Sequence, residues 1–364
     1  TDELEALRRR AQQEKRHPNF YIRRPDRPAS EGVVRFSVPQ NEAIVFDDVI
    51  RGTVRFEADV VDDFVILRSN GSPTYHLASS TDDVDHAITH VIRGEDLLSS
   101  TPKHILLSRA IGAAEPRYAH LPLILGADGK PLSKRHGPTA LQDFRHKGFL
   151  PEALRNYLSL LGWSLDAERT VFDTDEAVGA FDLADVSRNP AVFDMAKLEW
   201  MNGEYIRALP EAEFVERVTP HLVAGLGHEL DAEQSAQFGQ MAALVQERTK
   251  FFPDAADQVR FLFTDDLEYD EASWAKVMEK DGVVDVLRVS RAKLAELADF
   301  DHDSVEAALR SMLEELEIGA RKGLQPLRVA VTGSQVSPPL FESIAVLGKG
   351  RTLERLDASS ERLG

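Results

Sequence analysis

Apolar and polar residues alternate along the first part of the chain, as they do in strands that bury one face. The alternation runs from Val33 to Leu67 and is rich in β-branched and aromatic residues, which favours half-buried antiparallel strands. Asn70-Gly71 predicts a hairpin turn, and we expect the strand pattern to continue beyond it through PTYHLAS. His17 to Glu31, which contains three prolines, predicts an irregular connection before the strands. The predicted strands are VVRFSV, AIVFDDV, GTVRFEADVV and DFVILRS.

The pattern then changes to alternating helices and strands. A helical stretch (Asp82 to Thr89) precedes a short strand (His90 to Ile92) that ends at Arg93-Gly94. A helix capped by Thr101 follows, and a second strand is expected from Tyr118 to Leu125. Strand, helix, strand is half of a doubly wound sheet, and such sheets bind ligands beyond the carboxyl ends of their strands. The arginine after the first strand and the loop after the second both lie at such ends.

Beyond Gly137 the apolar spacing predicts helices almost throughout. Pro151 starts one helix and Asp194 caps another. The fold class is therefore α/β in the first part plus all-α in the second. The later predicted helices are Glu211 to Leu226, Ala232 to Gln246, Ala255 to Phe263, Ala272 to Glu279, Val283 to Leu297, Asp303 to Leu316 and Pro339 to Leu347.

Composition is that of an ordinary globular protein: 364 residues, 43% hydrophobic and 29% charged, long enough for two or three domains. No run of eighteen apolar residues occurs, so no membrane span is expected. The first residues, TDELEALRRRAQQEKR, lack the apolar core of a secretory signal. The chain has no cysteine, which excludes disulfides and thiolate metal sites and fits a cytoplasmic location.

The formal net charge of −18 counts against a nucleic-acid partner when the chain is taken as a whole. Screening limits the reach of each charge to about 8–10 Å in physiological salt, so an acidic protein can still hold RNA through local basic strips. Net charge alone therefore leaves an RNA partner open.

The stretch with the most distinctive chemistry is GADGKPLSKRHG, residues 126–137. Asp128-Gly129 predicts a turn, after which Lys134 and Arg135 lie on a loop. Adjacent cations on a mobile loop suit a polyphosphate, because they can neutralise the charge that develops when a phosphorus atom is attacked. A solvated turn that happens to be basic is the alternative, and these residues alone do not exclude it.

PLSKRHG resembles the Lys-Met-Ser-Lys-Ser loop of class I aminoacyl-tRNA synthetases, in the form used by bacterial glutamyl-tRNA synthetases. Four further stretches resemble the same family, follow its order and cover nearly the whole chain. They are PTYHLASSTDDVDHAITHVIRGED, GFLPEALRNYLSLLGW, KLEWMNGEYI and PLRVAVTGSQVSPPLFESIAVLGK.

The resemblance implies the C-terminal half of a class I Rossmann-type catalytic domain with an α+β acceptor-binding insertion, then a stem-contact region and a helical anticodon-binding domain. The implied boundaries are 1–74 for part of the insertion, 75–125 for the second half of the Rossmann domain, 126–210 for the stem-contact fold with its loop, and 211–364 for the anticodon-binding domain. Family members begin with a strand and a His-Ile-Gly-His-type motif that this sequence lacks. We therefore expect the chain to be a piece of the enzyme and to be inactive alone.

The implied reaction activates glutamate with ATP to glutamyl-adenylate and transfers the glutamyl group to the 3′ end of tRNA(Glu). Lys134 matches the second lysine of the motif and is the implied catalytic residue, because it can stabilise charge developing at the α-phosphorus. Pro131 stands at the position of the motif's first lysine, and whether the preceding Lys130 substitutes is open. The implied ATP-binding residues are Lys134, Arg135, Leu132, Ser133 and Asp96.

ATP is the implied cofactor, and Mg²⁺ is expected to arrive with it. Histidines such as His120 and His136 show no metal-ligand spacing, so we expect neither a protein metal site nor a structural zinc. The expected partners are L-glutamate, ATP and tRNA(Glu), with no membrane contact, and the protein is expected to be a monomer.

Arg93 is assigned to the carboxylate of the substrate, because a guanidinium can grip two carboxylate oxygens. A salt bridge from Arg93 to Glu95 or Asp96 is the alternative that the sequence alone leaves open. The resemblance implies that Tyr75 and Ser79 also contact glutamate.

Arg248, in QERTKFF, is a candidate reader of an anticodon base, and a solvated helix arginine is an equal alternative.

One alternative function is a non-catalytic tRNA-binding derivative of a glutamyl-tRNA synthetase. A glutaminyl-tRNA synthetase is disfavoured, because its anticodon region is built of β-barrels while this one is predicted to be helical. The sequence does not determine whether tRNA(Gln) is also charged.

Overall fold

The structure, a computed structural model of the chain, describes residues 2–16, 21, 32–39, 42–57, 60–137 and 140–364. It contains two compact units, residues 1–139 with 155–194 and residues 140–154 with 195–364. The irregular connection predicted from His17 to Glu31 lies outside the described residues except for Tyr21.

The first unit contains α1 (Asp2–Gln13) and four short strands, β1 (Val34–Arg35), β2 (Ile44–Asp48), β3 (Gly52–Phe56) and β4 (Val65–Leu67). β1 pairs with β4 and β2 pairs with β3, both antiparallel as predicted. Along β2, Ile44, Phe46 and Asp48 are buried while Val45 and Asp47 are exposed. This is the alternation expected of a half-buried strand.

The next elements extend the sheet that contains β2 and β3. They are α2 (Tyr75–Asp85), β5 (His90–Gly94), a 3-10 helix (Glu95–Ser100), α3 (Thr101–Ala110) and β6 (Arg117–Leu121). β5 and β6 are parallel, β6 also pairs with β2, and the strand order is β3-β2-β6-β5. Ile105 and Leu107 of α3 share a buried cluster with Phe46 and Tyr118 of the sheet. The sheet therefore contains strands from both sides of residue 74.

The prediction of a strand after the Asn70-Gly71 turn is wrong. The hairpin extends only to an isolated bridge between Leu67 and Pro73, and α2 begins at Tyr75 rather than at Asp82. α2 packs against α3, and this tertiary packing outweighs the local strand pattern.

The prediction of a single strand from Tyr118 to Leu125 is also wrong. β6 ends at Leu121, and β7 (Ile124–Leu125) belongs to a separate sheet. Pro122 explains the break, because proline has no N–H to donate to a strand ladder.

After β7 the chain runs through a 3-10 helix (Lys134–His136), α4 (Leu141–His146), α5 (Pro151–Ser159), α6 (Thr174–Ala180), another 3-10 helix (Leu183–Asp185) and β8 (Ala191–Val192). β8 pairs in parallel with β7 and so closes the first unit. α4 and the start of α5 belong to the second unit.

All regular elements of residues 195–364, every one of which is described, are helices. α8 and α9 have the predicted bounds. Their buried faces and those of the following helices form one apolar core. The elements are α7 (Met195–Arg207), α8 (Glu211–Leu226), α9 (Ala232–Gln246), α10 (Phe252–Val259), a 3-10 helix (Arg260–Leu262), α11 (Glu271–Val277), α12 (Val283–Glu296), α13 (His302–Glu315), α14 (Ala320–Thr332), α15 (Leu340–Leu347) and α16 (Lys349–Leu363).

Two of these helices were not predicted. α14 carries Pro326 in its interior, where proline usually breaks a helix, and α16 buries the polar Thr352, Arg355 and Ser359 beside Leu356 on its inward face. Arg355 is tolerated inside because three backbone carbonyls accept its hydrogen bonds at 2.7 Å each. In the part of the chain that the structure describes, no helix has the length and apolar character needed to cross a bilayer.

Candidate active site

Arg93 lies near the carboxyl end of β5, beside His120 of β6. Its Nε donates to Nε2 of His120 at 3.2 Å. Its Nη2 donates to the hydroxyl of Thr101 at 2.9 Å and to the carbonyl of Leu97 at 3.4 Å. Nη1 has no hydrogen-bond partner among the residues described. Three neutral acceptors thus hold the guanidinium while its two Nη1 hydrogens are left for a ligand.

The ion pair that the sequence offered as an alternative role for Arg93 is made by another arginine. Glu95 pairs with Arg51. Asp96 is exposed, and its carboxylate lies against the position that a Cβ on Gly94 would take, so a side chain at residue 94 would displace that carboxylate. Over the described ranges, no carboxylate makes an ion pair with Arg93.

Behind Arg93, His120 is held by a buried aspartate at the end of β2. Nδ1 of His120 lies 2.6 Å from Oδ2 of Asp48, and both side chains are fully buried. Oδ1 of Asp48 also accepts the backbone N–H groups of Ile50 and Arg51 at 3.0 and 2.8 Å. Burial would raise the pKa of Asp48, but these hydrogen bonds lower it below its ordinary value. Burial lowers the pKa of His120, which is therefore neutral at pH 7.

Tyr75 and Ser79 lie one turn apart on α2 and so share a face. Tyr75 is 54% exposed, and its ring centroid lies 5.7 Å from that of His104. Nε2 of His104 is 3.2 Å from Nδ1 of His76. Burial and then the charge of Arg93 lower the pKa of His104 to about 4, and burial followed by the charges of Lys103 and Arg93 lowers the pKa of His76. Tyr75, the histidine pair and Arg93 therefore belong to one region.

The cationic loop follows β7 and is organised by Asp128. Oδ1 of Asp128 lies 3.1 Å from Nε2 of His136, and Oδ2 accepts from Nη2 of Arg135 at 3.2 Å. Nδ1 of His136 accepts the backbone N–H of Ser133 at 3.0 Å, which places the ring proton on Nε2, facing Asp128. The His136 ring passes so close to Gly126 that a Cβ there would meet it at 2.8 Å. The loop conformation thus requires glycine at this position.

The adjacent cations Lys134 and Arg135 differ in their contacts. Lys134 begins the 3-10 helix and is exposed, and its side chain makes no hydrogen bond or ion pair with any residue that the structure describes. Arg135 is tied to Asp128. The N–H of Leu132 bonds to the carbonyl of Ile124 at 2.8 Å and anchors the loop to β7. Of these two, Lys134 is therefore the cation available to a ligand.

Arg248 lies in the second unit, exposed just after α9. Burial, and then the charge of Arg248, lowers the pKa of Arg328, which donates to the carbonyls of Ser337 and Pro338. The residues predicted for glutamate and ATP all lie in the first unit. Across the described ranges, no group of three or more His, Asp or Glu side chains is arranged to hold a metal ion.

Two family models match this chain. Residues 2–200 match the catalytic domain of class I tRNA synthetases (E and Q), and residues 213–359 match an anticodon-binding domain. Glutamate–tRNA ligase 2 of Thermoanaerobacter pseudethanolicus is 38% identical over 98% of this chain and 76% of its own length. The chain belongs to the glutamate–tRNA ligase family. The recognition made from the loop and its four companion stretches is thereby confirmed.

Other glutamate–tRNA ligases agree with this assignment. That of Dehalococcoides mccartyi is 42% identical over 91% of this chain and 68% of its own length, and that of Streptomyces avermitilis is 44% identical over 91% and 66%. This chain thus spans about two thirds to three quarters of these glutamate–tRNA ligases. The crystal structure of a glutamate tRNA ligase from Elizabethkingia meningosepticum, in complex with its amino acid, covers all of this chain with a TM-score of 0.78 at 27% identity. This chain covers 78% of that structure.

For a glutamate–tRNA ligase, the predicted fold class is confirmed: a class I catalytic region precedes a helical anticodon-binding domain. Class I membership implies the use of ATP. No β-barrel element occurs in residues 211–364, all described, which is the outcome expected if the chain is not a glutaminyl-tRNA synthetase.

Sequence reasoning missed the side chains that hold the candidate ligand-binding groups. Asp48 and His104 were given no role, Asp128 was given only a place in a turn, and His120 and His136 were considered only as metal ligands. A signal was present for two of them: Asp48 ends an apolar alternation on its buried side, and His120 stands within an apolar strand. A buried polar residue in such a position needs a partner.

Proposed function

We propose that this chain takes part in the glutamate–tRNA ligase reaction of its family. The observation that supports this most directly is that glutamate–tRNA ligases match the chain through both the catalytic and the anticodon-binding regions. The side-chain contacts then suggest which residues carry each step.

In the first step a carboxylate oxygen of glutamate attacks the α-phosphorus of ATP, and the bond to the β-phosphate breaks to release pyrophosphate. In the second step a hydroxyl of the terminal ribose of tRNA attacks the activated carbonyl, and AMP leaves. Such transfers depend on positioning and on neutralising developing negative charge. Lys134 is proposed for this neutralisation, because it is an unpaired cation on a loop.

Arg93 is proposed to bind a carboxylate of glutamate through its unpaired Nη1 hydrogens. Tyr75 and Ser79 are proposed to line the same pocket, since Tyr75 lies next to histidines that sense the charge of Arg93. Within the described ranges no carboxylate makes an ion pair with Arg93, so its Nη1 hydrogens remain for an anionic ligand.

Leu132, Ser133, Lys134, Arg135 and Asp96 are proposed to bind ATP. Arg135 would exchange its contact with Asp128 for one with a phosphate. In the absence of nucleotide, Asp128 would therefore stabilise the loop. Mg²⁺ is proposed to arrive with ATP, bound mainly by phosphate oxygens, and to neutralise part of their charge.

For tRNA we propose the four-part division given above: 1–74 and 126–210 contact the acceptor end and stem, 75–125 belongs to the catalytic domain, and 211–364 binds the anticodon. Arg248 is proposed to read an anticodon base, because it is exposed and lies within electrostatic range of a second arginine, Arg328. We further propose that the enzyme is a cytoplasmic monomer.

The test is a charging assay of the complete enzyme with radiolabelled glutamate on purified tRNA(Glu) and tRNA(Gln), with labelled glutamine as the control amino acid. We expect ATP-dependent attachment of glutamate and none of glutamine. Tight binding of tRNA(Glu) by an enzyme preparation that neither activates glutamate nor releases pyrophosphate would instead support the non-catalytic derivative. The tRNA(Gln) arm determines whether the enzyme discriminates between the two tRNAs.

A further inference from the structure

The Asp48–His120 pair takes no part in the chemistry above, although it lies directly behind Arg93. We infer that Asp48 and His120 are positioning residues that orient the Arg93 guanidinium and thereby set the affinity for the carboxylate of glutamate. This inference rests on the proposed role of Arg93.

The proton positions follow from the contacts. Asp48 is ionised and accepts backbone N–H groups at Oδ1, so its Oδ2 must accept a proton from Nδ1 of His120, 2.6 Å away. Nε2 of His120 then carries a lone pair. That lone pair faces two donors, the Nε–H of Arg93 at 3.2 Å and the hydroxyl of Thr101 at 3.1 Å. Asp48 therefore fixes the tautomer that can accept from Arg93.

This arrangement leaves the guanidinium little freedom to rotate. Nε is held by His120 and Nη2 by Thr101 and Leu97, so Nη1 points in one direction. Thr101 and His120 are both fully buried, so water does not compete for these hydrogen bonds. A pre-oriented donor binds a carboxylate more tightly than one that must be ordered on binding.

A purely structural role is the competing explanation, because Asp48 also caps the turn between β2 and β3. Asp48→Asn separates the two. The amide oxygen can keep the turn contacts, but the amide NH₂ then faces Nδ1 of His120 and moves the ring proton to Nε2. The Nε2–H of His120 and the Nε–H of Arg93 then face each other as two donors and cannot form a hydrogen bond, while the turn is preserved. Asp47→Asn is the matched control: the same change one residue away, on an exposed side chain.

The experiment measures the glutamate KM, the glutamate Kd by calorimetry without turnover, the ATP KM and the melting temperature. For Asp48→Asn we expect the glutamate KM and Kd to rise about tenfold or more, with the ATP KM within twofold and folding retained. Asp47→Asn should match the unsubstituted enzyme. The ¹⁵N NMR spectrum of His120 should change from an Nδ1-protonated to an Nε2-protonated ring.

Arg93→Lys completes the test, because lysine has no Nε–H for His120 to accept. Alone it should raise the glutamate KM strongly, and adding Asp48→Asn should then change it by less than twofold. If Arg93→Lys raises the glutamate KM but Asp48→Asn does not, or if the effects of the two substitutions multiply, the positioning inference is wrong. The proposed role of Arg93 in binding glutamate is then still supported. If Arg93→Lys leaves the glutamate KM and Kd unchanged, the proposed pocket itself is wrong.

Discussion

Lys134 and Arg135 are adjacent and equally charged, yet Asp128 engages only one of them. The motif assigned both to ATP binding and Lys134 also to catalysis, but it did not predict that their contacts differ. The distinction comes from a turn that brings Asp128 and His136 together across eight residues. A contact of this kind depends on the folded loop, so it could not be predicted from spacing.

Replacing Lys134 with alanine should slow adenylate formation at least about a hundredfold, because the cation proposed to stabilise the transition state is lost. Affinity for tRNA should stay within twofold. ATP–pyrophosphate exchange and filter binding measure the two quantities, and Lys147→Ala, another exposed lysine, is the control. Equal losses of exchange and of tRNA affinity would remove the catalytic assignment.

The pKa values of His104 and His302 should be shifted in opposite directions from that of an ordinary histidine. Burial and the Arg93 charge hold the pKa of His104 at about 4, whereas the hydrogen bond to Asp303 raises the pKa of His302. Histidine-selective NMR should therefore show His104 neutral at pH 5 while His302 is charged at pH 6.5. The pKa of His104 is lower in the folded than in the unfolded state, so protonation favours the unfolded state. The contribution of His104 to the free energy of unfolding is therefore complete above about pH 6.5 and declines by roughly 3 kcal/mol as the pH falls to 4. A His104 resonance that titrates near 6.5 would contradict this burial.

At the scale of elements, apolar period predicted most helices and the strands of the first sheet. It failed where one residue changed the outcome, as at Pro122, or where the buried face was polar, as around Arg355. In the site, the strand end at Arg93 and the loop at Lys134 were predicted, because both follow from the order of elements. The buried pair behind Arg93 was not, since Asp48 and His120 are seventy-two residues apart and meet only through parallel strands.

Gly126 offers a test of the loop as an element. Alanine there would place its Cβ 2.8 Å from the His136 ring and displace the loop that carries Lys134. We expect adenylate formation to fall about tenfold or more while glutamate Kd stays within twofold. Gly179→Ala is the control, because nothing lies within 4 Å of a Cβ there and alanine favours the α6 helix by up to about 1 kcal/mol. Normal exchange rates in Gly126→Ala would show that the loop does not depend on this close approach.

At the scale of the whole molecule, a protein with a net charge of −18 is proposed to bind a polyanion. This requires cations confined to local surfaces, such as Arg248 with its neighbour Arg328. The overall composition could not predict that arrangement, because net charge sums over surfaces that a ligand never touches.

Salt should therefore act on tRNA and glutamate differently. Raising KCl from about 50 to 200 mM should weaken tRNA(Glu) binding by about tenfold or more, because counterions are released from each neutralised phosphate. The glutamate Kd should change by less than twofold, since its proposed arginine is partly buried. Fluorescence titration and calorimetry measure the two. A tRNA affinity that is indifferent to salt would argue against recognition through the phosphate backbone.

The chain passes from one compact unit to the other three times, after residues 139, 154 and 194. Leu150 and Ala153 pack in the same core as Ile206 and Phe214, so they emerge from the ribosome well before their partners. The first unit likewise stays incomplete until β8 has been synthesised and can pair with β7. A nascent chain paused just before residue 190 would therefore carry apolar surface belonging to both units, which is the interval in which a chaperone would bind it.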